Sequence, residues 1–336
     1  MTTSRDIARI AGVSQTTVSR VLQNRANVND DTRQRVLDAL AKTGFVPNQQ
    51  ARAMRMRRSG TVGVITGRIT NPFYPELLDG LAHVIAAEGM RMALWASDEP
   101  ASAAEAIRAI RESIIDGLIF TTAAADELAL VEATRHDLPI VLVNRSIDGV
   151  QCDQVTSDNF GGGVLVAEYF LKHGHTNVAV VGGNREVSTS RDRREGFVSA
   201  FAASGHPVPS SRQIDCDFTH DAATTVGVEL LSTRERPAAV FCVNDLVAFG
   251  VQDAAHRLGI DAPGQLWVVG YDDIAMAAWD RISLTSVRQP IADLARSAVE
   301  LLVNRIAKPS GSYHRRSFPA ELSVRRSTMY ADSGEE

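Results

Sequence analysis

The chain has 336 residues, 44% of them hydrophobic, and a formal net charge of −5. No apolar run reaches the 18 residues of a membrane-spanning helix, so we expect no membrane partner. The charge is divided unevenly. Residues 1–60 carry 11 Lys and Arg against 4 Asp and Glu, and the remainder carries 24 against 36. A basic head on an acidic body predicts that the head binds a polyanion such as nucleic acid.

The first predicted helix has apolar positions at helical spacing and ends near Ala11. These positions are Ile7, Ala8, Ile10 and Ala11. Gly12 permits a sharp turn after this helix. Ser14 is placed to cap a second helix, which runs to about Leu22.

The second helix is predicted to bury Val18, Val21 and Leu22. The opposite face carries polar side chains that suit base edges: Gln15, Thr16, Ser19 and Arg20. A third helix begins at Asn29-Asp30-Asp31 and is closed by Gly44, with apolar positions at Val36, Leu37 and Leu40. Two short helices at a glycine-containing turn, supported by a third, predict an all-α helix-turn-helix domain. The alternative is a plain three-helix bundle with a solvated polar face.

From Thr61 onward, β-branched runs alternate with amphipathic stretches, which predicts α/β lobes with parallel sheets flanked by helices. The runs are Thr61–Ile65, Arg91–Trp95, Gly117–Thr121, Pro139–Val143, Val178–Val181, Ala238–Val243 and Leu266–Val269. About 276 residues are more than a single hydrophobic core usually contains, so two lobes are expected. Ligands of such sheets bind at the carboxyl ends of the strands, here the cleft between the lobes.

Side chains predicted at these strand ends combine carboxylate, amide, guanidinium and aromatic groups. We predict an effector site formed by Phe73, Asn144, Arg145, Phe160, Arg193, Phe218, Asn244 and Asp272. Such groups suit a polyhydroxylated ligand, because they bond neighbouring hydroxyls and stack on sugar faces. Three alternatives stay open. Asn244 and Asp272 could cap helices, Phe73 and Phe218 could be core, and the arginines at 191–194 could form a solvated face.

Other motifs are less informative. Gly161-Gly162-Gly163 lacks the features of a phosphate loop, and packing of a helix is the better interpretation. His173 and His175 have no metal partner at a usable spacing and are expected in a surface loop. The cysteines, Cys152, Cys216 and Cys242, are predicted to be buried free thiols in a reducing cytosol. An enzyme would need a phosphate loop or a paired acid and base, and the sequence shows neither, so an enzyme is not predicted. No cofactor or metal is expected.

The segments DIARIAGVSQTTVSRVL and VNDDTRQRVLDALAKTGFVPNQQARAM resemble the head and hinge of the LacI/GalR family of transcriptional regulators. The resemblance covers roughly residues 4–328. It implies a helix-turn-helix domain (1–47), a hinge (48–60), an effector-binding and dimerisation domain like a periplasmic binding protein (61–328) and an acidic tail (329–336), expected to be disordered. The N-lobe would comprise about 61–160 and 290–320, and the C-lobe about 161–288 and the C-terminal end. The chain would cross between lobes near 158–162, 287–292 and 318–322.

The resemblance implies double-stranded, palindromic operator DNA as the partner of a homodimer. Bases would be read by Gln15, Thr16 and Arg20, and phosphates held by Ser14, Thr17, Asn24, Arg52 and Arg55. Asn48 in the hinge is a further expected DNA contact. The family usually has leucine, inserted in the minor groove, where Met54 stands. Methionine is long and apolar enough for the same insertion. The alternative is a basic linker whose arginines contact only phosphates.

By the same resemblance, Arg193, Asn244 and Asp272 match effector contacts, and Phe218 matches a stacking position. Gln289 matches a position at a lobe crossing that also contacts the effector in some members. A sugar or sugar derivative is the expected effector. Arg145 leaves room for a sugar acid or phosphate, and Phe73 and Phe218 keep a purine open. An alternative from a different class is a solute-binding protein of sugar transport. Such a protein would need export and would have no basic head. The absence of a signal peptide predicts a cytoplasmic protein.

Overall fold

The computed structural model describes residues 3–22, 27–44, 58–96, 100–112, 114–122, 128–135 and 138–329. The chain divides into two compact units, residues 1–59 and 60–336. Among the described helices, none is both long and apolar enough to cross a membrane.

The smaller unit contains helices α1 (Ser4–Ala11), α2 (Gln15–Leu22) and α3 (Asp30–Thr43). Thr3 and Asp6 form a reciprocal cap at the start of α1. Gly12 ends α1 at φ +64°, a left-handed conformation that glycine adopts without steric cost. Asn29 caps α3 by accepting the Thr32 N–H at 2.8 Å. The predicted helix boundaries are therefore confirmed, and local capping residues encode both ends of α1 and of α3 and the start of α2.

The core of this unit is small and apolar. It is formed by Ile7, Ala8, Ala11, Val18, Val21, Val36 and Ala39. Two predicted apolar positions lie outside it, since Ile10 is 52% and Leu37 is 45% exposed. The prediction for these two was wrong because three short helices enclose only one narrow stripe of each helix.

The larger unit alternates strands and helices. Its strands are β1 (Thr61–Thr66), β2 (Arg91–Ala96), β3 (Gly117–Phe120), β4 (Ile140–Val143), β5 (Asp153–Ser157), β6 (Val178–Gly182), β7 (Gln213–Asp215), β8 (Ala239–Cys242), β9 (Trp267–Asp272), β10 (Thr285–Arg288), β11 (Arg315–Phe318) and β12 (Glu321–Ser323). Its α-helices are α4 (Phe73–Ala87), α5 (Pro100–Arg111), α6 (Leu128–Arg135), α7 (Asn159–Lys172), α8 (Ser188–Ala203), α9 (His220–Leu231), α10 (Asp245–Arg257) and α11 (Ile291–Ala307).

The strands form two six-stranded sheets. The N-lobe sheet has the order β11-β5-β4-β3-β1-β2, and the C-lobe sheet has the order β12-β10-β9-β8-β6-β7. All described pairings are parallel except that of β12, which runs antiparallel to β10 at the edge of the C-lobe sheet. The central strands β3, β4, β6 and β8 are buried along their whole length. Burial on both faces explains why they appear in the sequence as continuous apolar runs.

The chain passes between the two sheets three times. Residue 158 links β5 to α7, residues 289–290 link β10 to α11, and residues 319–320 link β11 to β12. Helix α11 returns to the N-lobe, where it packs against α4 and strands β3, β4 and β5. Each lobe is therefore built from separate stretches of the chain.

Strands β5, β7, β10, β11 and β12 were not among the predicted runs. They contain polar residues, and their sequences, such as DQVTS and RRSF, lack a continuous apolar run. Each of these strands lies at an edge of its sheet or next to one. It forms there because backbone groups of the neighbouring strand are available for hydrogen bonding. This is a tertiary effect that a local pattern does not encode.

Candidate DNA-binding and effector sites

Helix α2 presents a polar face to solvent. Gln15, Thr16 and Arg20 are exposed on it, and Ser19 is half-buried. Gln15 Nε2 donates to Ser4 Oγ at 2.7 Å, which holds this side chain at the start of the helix. These are the residue types that contact base edges when a recognition helix enters the major groove.

The start of α2 is fixed by Ser14. Its Oγ accepts the Thr17 N–H at 3.1 Å and lies 2.9 Å from Thr17 Oγ1. Both hydroxyls therefore lie at the amino end of the helix, where N–H groups favour an anion such as phosphate. The other predicted DNA contacts lie outside the described residues: Asn24, Asn48, Arg52, Met54 and Arg55.

The two lobes of the larger unit meet beyond the carboxyl ends of their strands. Ser146, which follows β4, donates its N–H to Ser188 Oγ at the start of α8, at 3.2 Å. The N–H of Ala275, which follows β9, donates to Glu76 Oε1 of α4 at 2.8 Å. We call the space bounded by these segments the cleft.

Arg193 is the central side chain of the C-lobe wall, and it is 4% exposed. Its Nε donates to Asn159 Oδ1 at 2.8 Å, and its Nη1 donates to the Val243 carbonyl at 2.6 Å. The guanidinium also stacks on the Tyr271 ring, 3.6 Å from its centroid. Arg193 is therefore fixed in one position before any ligand binds.

Asp272 joins Arg193 to the segments that link the lobes. Its Oδ1 accepts Arg193 Nη1 at 3.1 Å and Gln289 Nε2 at 2.6 Å. Gln289 Oε1 in turn accepts the Ser157 hydroxyl at 2.8 Å. We call Arg193, Asp272, Gln289, Ser157 and Asn159 the cleft network. Three of its members, Ser157, Asn159 and Gln289, flank or lie in the lobe crossings.

Burial dominates the electrostatics of this network. It raises the pKa of Asp272 to about 6, although the Arg193 guanidinium acts in the opposite direction. Burial raises the pKa of Asp245 more strongly, and the neighbouring Asp272 carboxylate adds to that effect. The Tyr271 phenol, also buried, has its pKa raised to about 12. Ionising Asp272 near neutral pH therefore depends on the guanidinium beside it.

The N-lobe wall contains Phe73, Asn144 and Arg145. Phe73 is 3% exposed and packs in the core at the start of α4, so the core alternative describes this ring. Asn144 has φ +75°, and its buried Oδ1 lacks a hydrogen-bond partner among the described residues. The buried Arg145 Nε likewise lacks one. Unsatisfied polar atoms are costly, which makes this pair a candidate for ligand contact.

The predicted aromatic contacts differ in burial. The Phe218 ring lies directly over Gly183, where a Cβ would collide with it, and the ring is half-buried. Phe160, the second residue of α7, is 48% exposed. Phe218 is thus held in place by the backbone, whereas the Phe160 ring faces solvent.

Two of the open alternatives are decided by the geometry. Asn244 Oδ1 accepts the Val247 N–H at 2.8 Å, so Asn244 does cap α10. Asp272 caps no helix. The alternative of a solvated arginine face does not describe Arg193 and Arg194, because both are at most 4% exposed. Arg194 pairs with Asp215 and donates to the Ile214 carbonyl.

Sequence reasoning did not select Ser157, Asn159 and Tyr271 as site residues. Ser157 and Asn159 flank the first crossing, and Tyr271 immediately precedes Asp272 in β9. The one signal that could have identified these residues is their place in the sequence next to a lobe crossing or a strand end, because polar residues there are brought beside the cleft. The side chains that Ser157 and Asn159 bond are 132 and 34 positions away along the chain and cannot be found from spacing.

A groove of about 1180 Å³ opens elsewhere on the C-lobe, along α10. It is lined by His220, Phe249, Met276, Ile282 and other residues, and includes none of the predicted effector residues. We favour the cleft over this groove as the effector site. The cleft has the buried charged pair and the unsatisfied polar atoms, and volume alone indicates no chemistry.

The remaining motifs have structural explanations. A Cβ on Gly162 or Gly163 would overlap Tyr271 or the Arg193 carbonyl, so these glycines permit close packing of α7. His173 is exposed, but the rings of His173 and His175 lie 5.2 and 4.3 Å from Trp267, measured between centroids. Within the described residues, no group of three or more His, Cys, Asp or Glu side chains could hold a metal ion.

The cysteines are free. Cys152 and Cys242 are buried, whereas Cys216 is half-buried, which corrects the prediction that it is fully enclosed. Cys216 follows β7, a strand of three residues at the edge of the C-lobe sheet.

A helix-turn-helix unit attached to a two-lobed α/β unit with a polar cleft defines a class of proteins, the DNA-binding transcriptional regulators with a separate ligand-binding unit. Comparisons with known proteins agree. A model described as bacterial regulatory proteins, lacI family, matches residues 3–48, and a model of a periplasmic binding protein-like domain matches residues 167–328.

The ribose operon repressor of Halalkalibacterium halodurans is 32% identical over 336 residues, 100% of this chain and 99% of that protein. The HTH-type transcriptional repressor PurR of Photobacterium profundum is 30% identical over 331 residues, 97% of this chain and 98% of that protein. The lac repressor dimer bound to operator and the anti-inducer ONPF has a similar fold, with a TM-score of 0.85 at 22% identity, over 98% of this chain and 99% of that one. The chain belongs to the LacI family, whose members are DNA-binding transcriptional repressors and not enzymes.

Proposed function

We propose that this repressor controls genes of carbohydrate metabolism and that a small sugar-like effector, bound in the cleft, sets its affinity for a palindromic operator. The observation that carries the proposal is the cleft network. It places a fixed guanidinium and a carboxylate at the strand ends and ties them to two of the lobe crossings. A ligand contacting Asp272 would thus act directly on the segments about which the lobes move.

The groups on the two walls suit a sugar. Asp272 and Asn144 supply oxygen acceptors, Arg193 and Arg145 supply donors, and Phe218 supplies an aromatic face. The ribose operon repressor among the relatives is consistent with a carbohydrate effector. A purine effector is the second candidate. It is favoured by the half-buried Phe218 ring, which could stack on a base, and by the relative PurR, described as a repressor.

The proposed operator complex is a cytoplasmic homodimer, because one recognition helix reads only about five base pairs and a palindrome presents two half-sites. Gln15, Thr16 and Arg20 would read bases while Ser14 and Thr17 hold phosphates. The hinge would contribute further contacts: Asn48, Arg52, Met54 and Arg55, together with Asn24 from the head. Effector binding would rotate the N-lobes of the dimer and separate the hinges, so that repression is relieved.

The first experiment is a thermal-shift screen of the full chain against neutral sugars, sugar acids, sugar phosphates and purines. A ligand that binds only the folded state raises its apparent stability by mass action. We expect a neutral sugar to raise the melting temperature of the wild-type chain and to leave that of the Arg193→Ala variant unchanged. A purine as the sole binder would replace the sugar proposal. A sugar that still stabilises the variant would remove Arg193 from the site.

Operator recognition is tested separately, by selecting bound duplexes from a random DNA library. Palindromic selected sequences would support the dimer. Selection of a single half-site, or of no sequence in preference to others, would contradict it.

A further inference from the structure

The loop that presents Asp272 has an unusual backbone. Asp272 has φ +112° and Asp273 has φ +53°, both in a region that residues with a Cβ rarely adopt. Such conformations persist only where the surrounding structure holds them in place. The contacts that hold this loop therefore determine where the Asp272 carboxylate points.

Side chains of the C-lobe accept the first two backbone N–H groups after Asp272. The N–H of Asp273 donates to Ser286 Oγ at 3.1 Å, and that of Ile274 donates to Asp245 Oδ2 at 2.9 Å. Ser286 and Asp245 are fully buried, and the Ser286 hydroxyl donates to Asp245 Oδ1. These acceptors lie inside the C-lobe, so they hold the loop whatever the position of the N-lobe.

The third N–H group, that of Ala275, is accepted by the other lobe. Its acceptor is Glu76 Oε1, at 2.8 Å, in helix α4. Burial raises the pKa of Glu76, and the Asp273 carboxylate adds to that effect, which is consistent with a carboxylate drawn into this loop. Three successive backbone groups are thus held by side chains, and only the last of these bonds breaks when the lobes separate.

We propose that Glu76 is a positioning residue for the effector site: by accepting the Ala275 N–H across the cleft, it completes the set of bonds that holds Asp272 in its strained conformation. The effector site then has its full shape only when the lobes are together. Lobe closure and the geometry of Asp272 are coupled through one hydrogen bond. The functional meaning of this coupling rests on the proposed function, but the bond and its effect on the loop do not.

The test is amide hydrogen exchange of the full chain without added ligand. In Glu76→Ala we expect the Ala275 amide to exchange about tenfold faster, since a bond to a charged acceptor is lost. The amides of Asp273 and Ile274 should also exchange faster, about two- to fivefold, although their own acceptors are intact. Glu76→Gln should retain nearly wild-type exchange at all three, because its amide oxygen can accept the same bond.

Asp79→Ala is the matched control, an exposed carboxylate one turn further along α4, and it should leave the three amides unchanged. Three results would overturn the proposal. These are wild-type exchange at Ala275 in Glu76→Ala, faster exchange confined to Ala275, or a Glu76→Gln variant that exchanges as fast as Glu76→Ala. An equal acceleration throughout residues 77–87 would also overturn it, since the effect would then be a loosened helix. No effector is needed, so failure of the sugar proposal leaves this outcome readable.

Discussion

Replacing Arg193 with alanine should destabilise the C-lobe strongly. The substitution removes three hydrogen bonds and the stacking on Tyr271, and it leaves Asp272 as a buried carboxylate without a cation. Removing one partner of a buried ion pair costs about 3–5 kcal/mol of the free energy of unfolding. For a chain of this size each kcal/mol lowers the melting temperature by about 2–4 °C, so we expect a decrease of about 6–20 °C.

The assay is thermal unfolding followed by tryptophan fluorescence, since Trp267 and Trp279 both lie in the C-lobe and report on it. Arg191→Ala is the control, because Arg191 forms a surface ion pair with Asp192 that is worth about 0–1 kcal/mol. Adding Asp272→Asn to Arg193→Ala should recover part of the loss, because the uncompensated charge is then absent. The difference between the double variant and the sum of the single variants measures the coupling of the pair.

The free energy of unfolding that Arg193→Ala loses should also depend on pH in a defined direction. Burial already raises the pKa of Asp272 to about 6, and removing Arg193 raises it further. A carboxyl group with a raised pKa binds its proton more readily in the folded state than in the unfolded state. The penalty of Arg193→Ala is therefore complete well above this pKa and shrinks as the pH falls through it. The reasoning would be refuted if Arg193→Ala lost the same stability at about pH 7.5 and at about pH 5.5. It would also be refuted if Arg191→Ala lowered the melting temperature as much as Arg193→Ala does.

Three further predictions test other parts of the molecule. Arg20→Ala should relax specificity at one symmetric base position of the operator, at a cost of about 1–3 kcal/mol in binding, and an unchanged selected sequence would contradict this. Asn244→Ala should lower the free energy of unfolding by about 0.5–2 kcal/mol through loss of the α10 cap, while Asn244→Asp retains most of it; similar melting of both variants would argue against the cap. Burial raises the pKa of Cys242 well above its usual value and that of Cys216 to about 11, so neither thiol should react with a disulfide reagent near pH 8 until the protein unfolds; rapid labelling of the native chain would refute this.

The helix-turn-helix unit could be predicted almost completely from the sequence because its signals are local. Each helix start has a capping residue next to it, such as Ser14 for α2 and Asn29 for α3. The central strands were equally clear, since burial on both faces requires apolar residues throughout. The exposed Ile10 shows the limit of this reasoning, because a pattern gives the apolar stripe but not how much of it the neighbouring helices cover.

The candidate effector site was only partly accessible from the sequence. Position in the sequence and the family resemblance together selected Arg193, Asp272 and Gln289, and the structure places the Asp272 carboxylate within hydrogen-bond distance of the other two. Position could not tell whether Asn244 faces the cleft or caps a helix, because an asparagine at that point suits both roles. It also gave no reason to choose Ser157, whose partner lies 132 residues away, beyond the second crossing.

The cleft network has a consequence for how a signal would leave the site. Asp272 Oδ1 already accepts bonds from Arg193 and Gln289, so a ligand that bonds this oxygen, rather than Oδ2, must share or displace one of them. Displacing Gln289 would also disturb its bond to Ser157 beside the first crossing. Displacing Arg193 is harder, since Asn159, the Val243 carbonyl and Tyr271 hold it. Gln289 has fewer other contacts to hold it than Arg193, so we expect a ligand at this oxygen to displace Gln289 first and thereby to act on the bond that joins the two crossings.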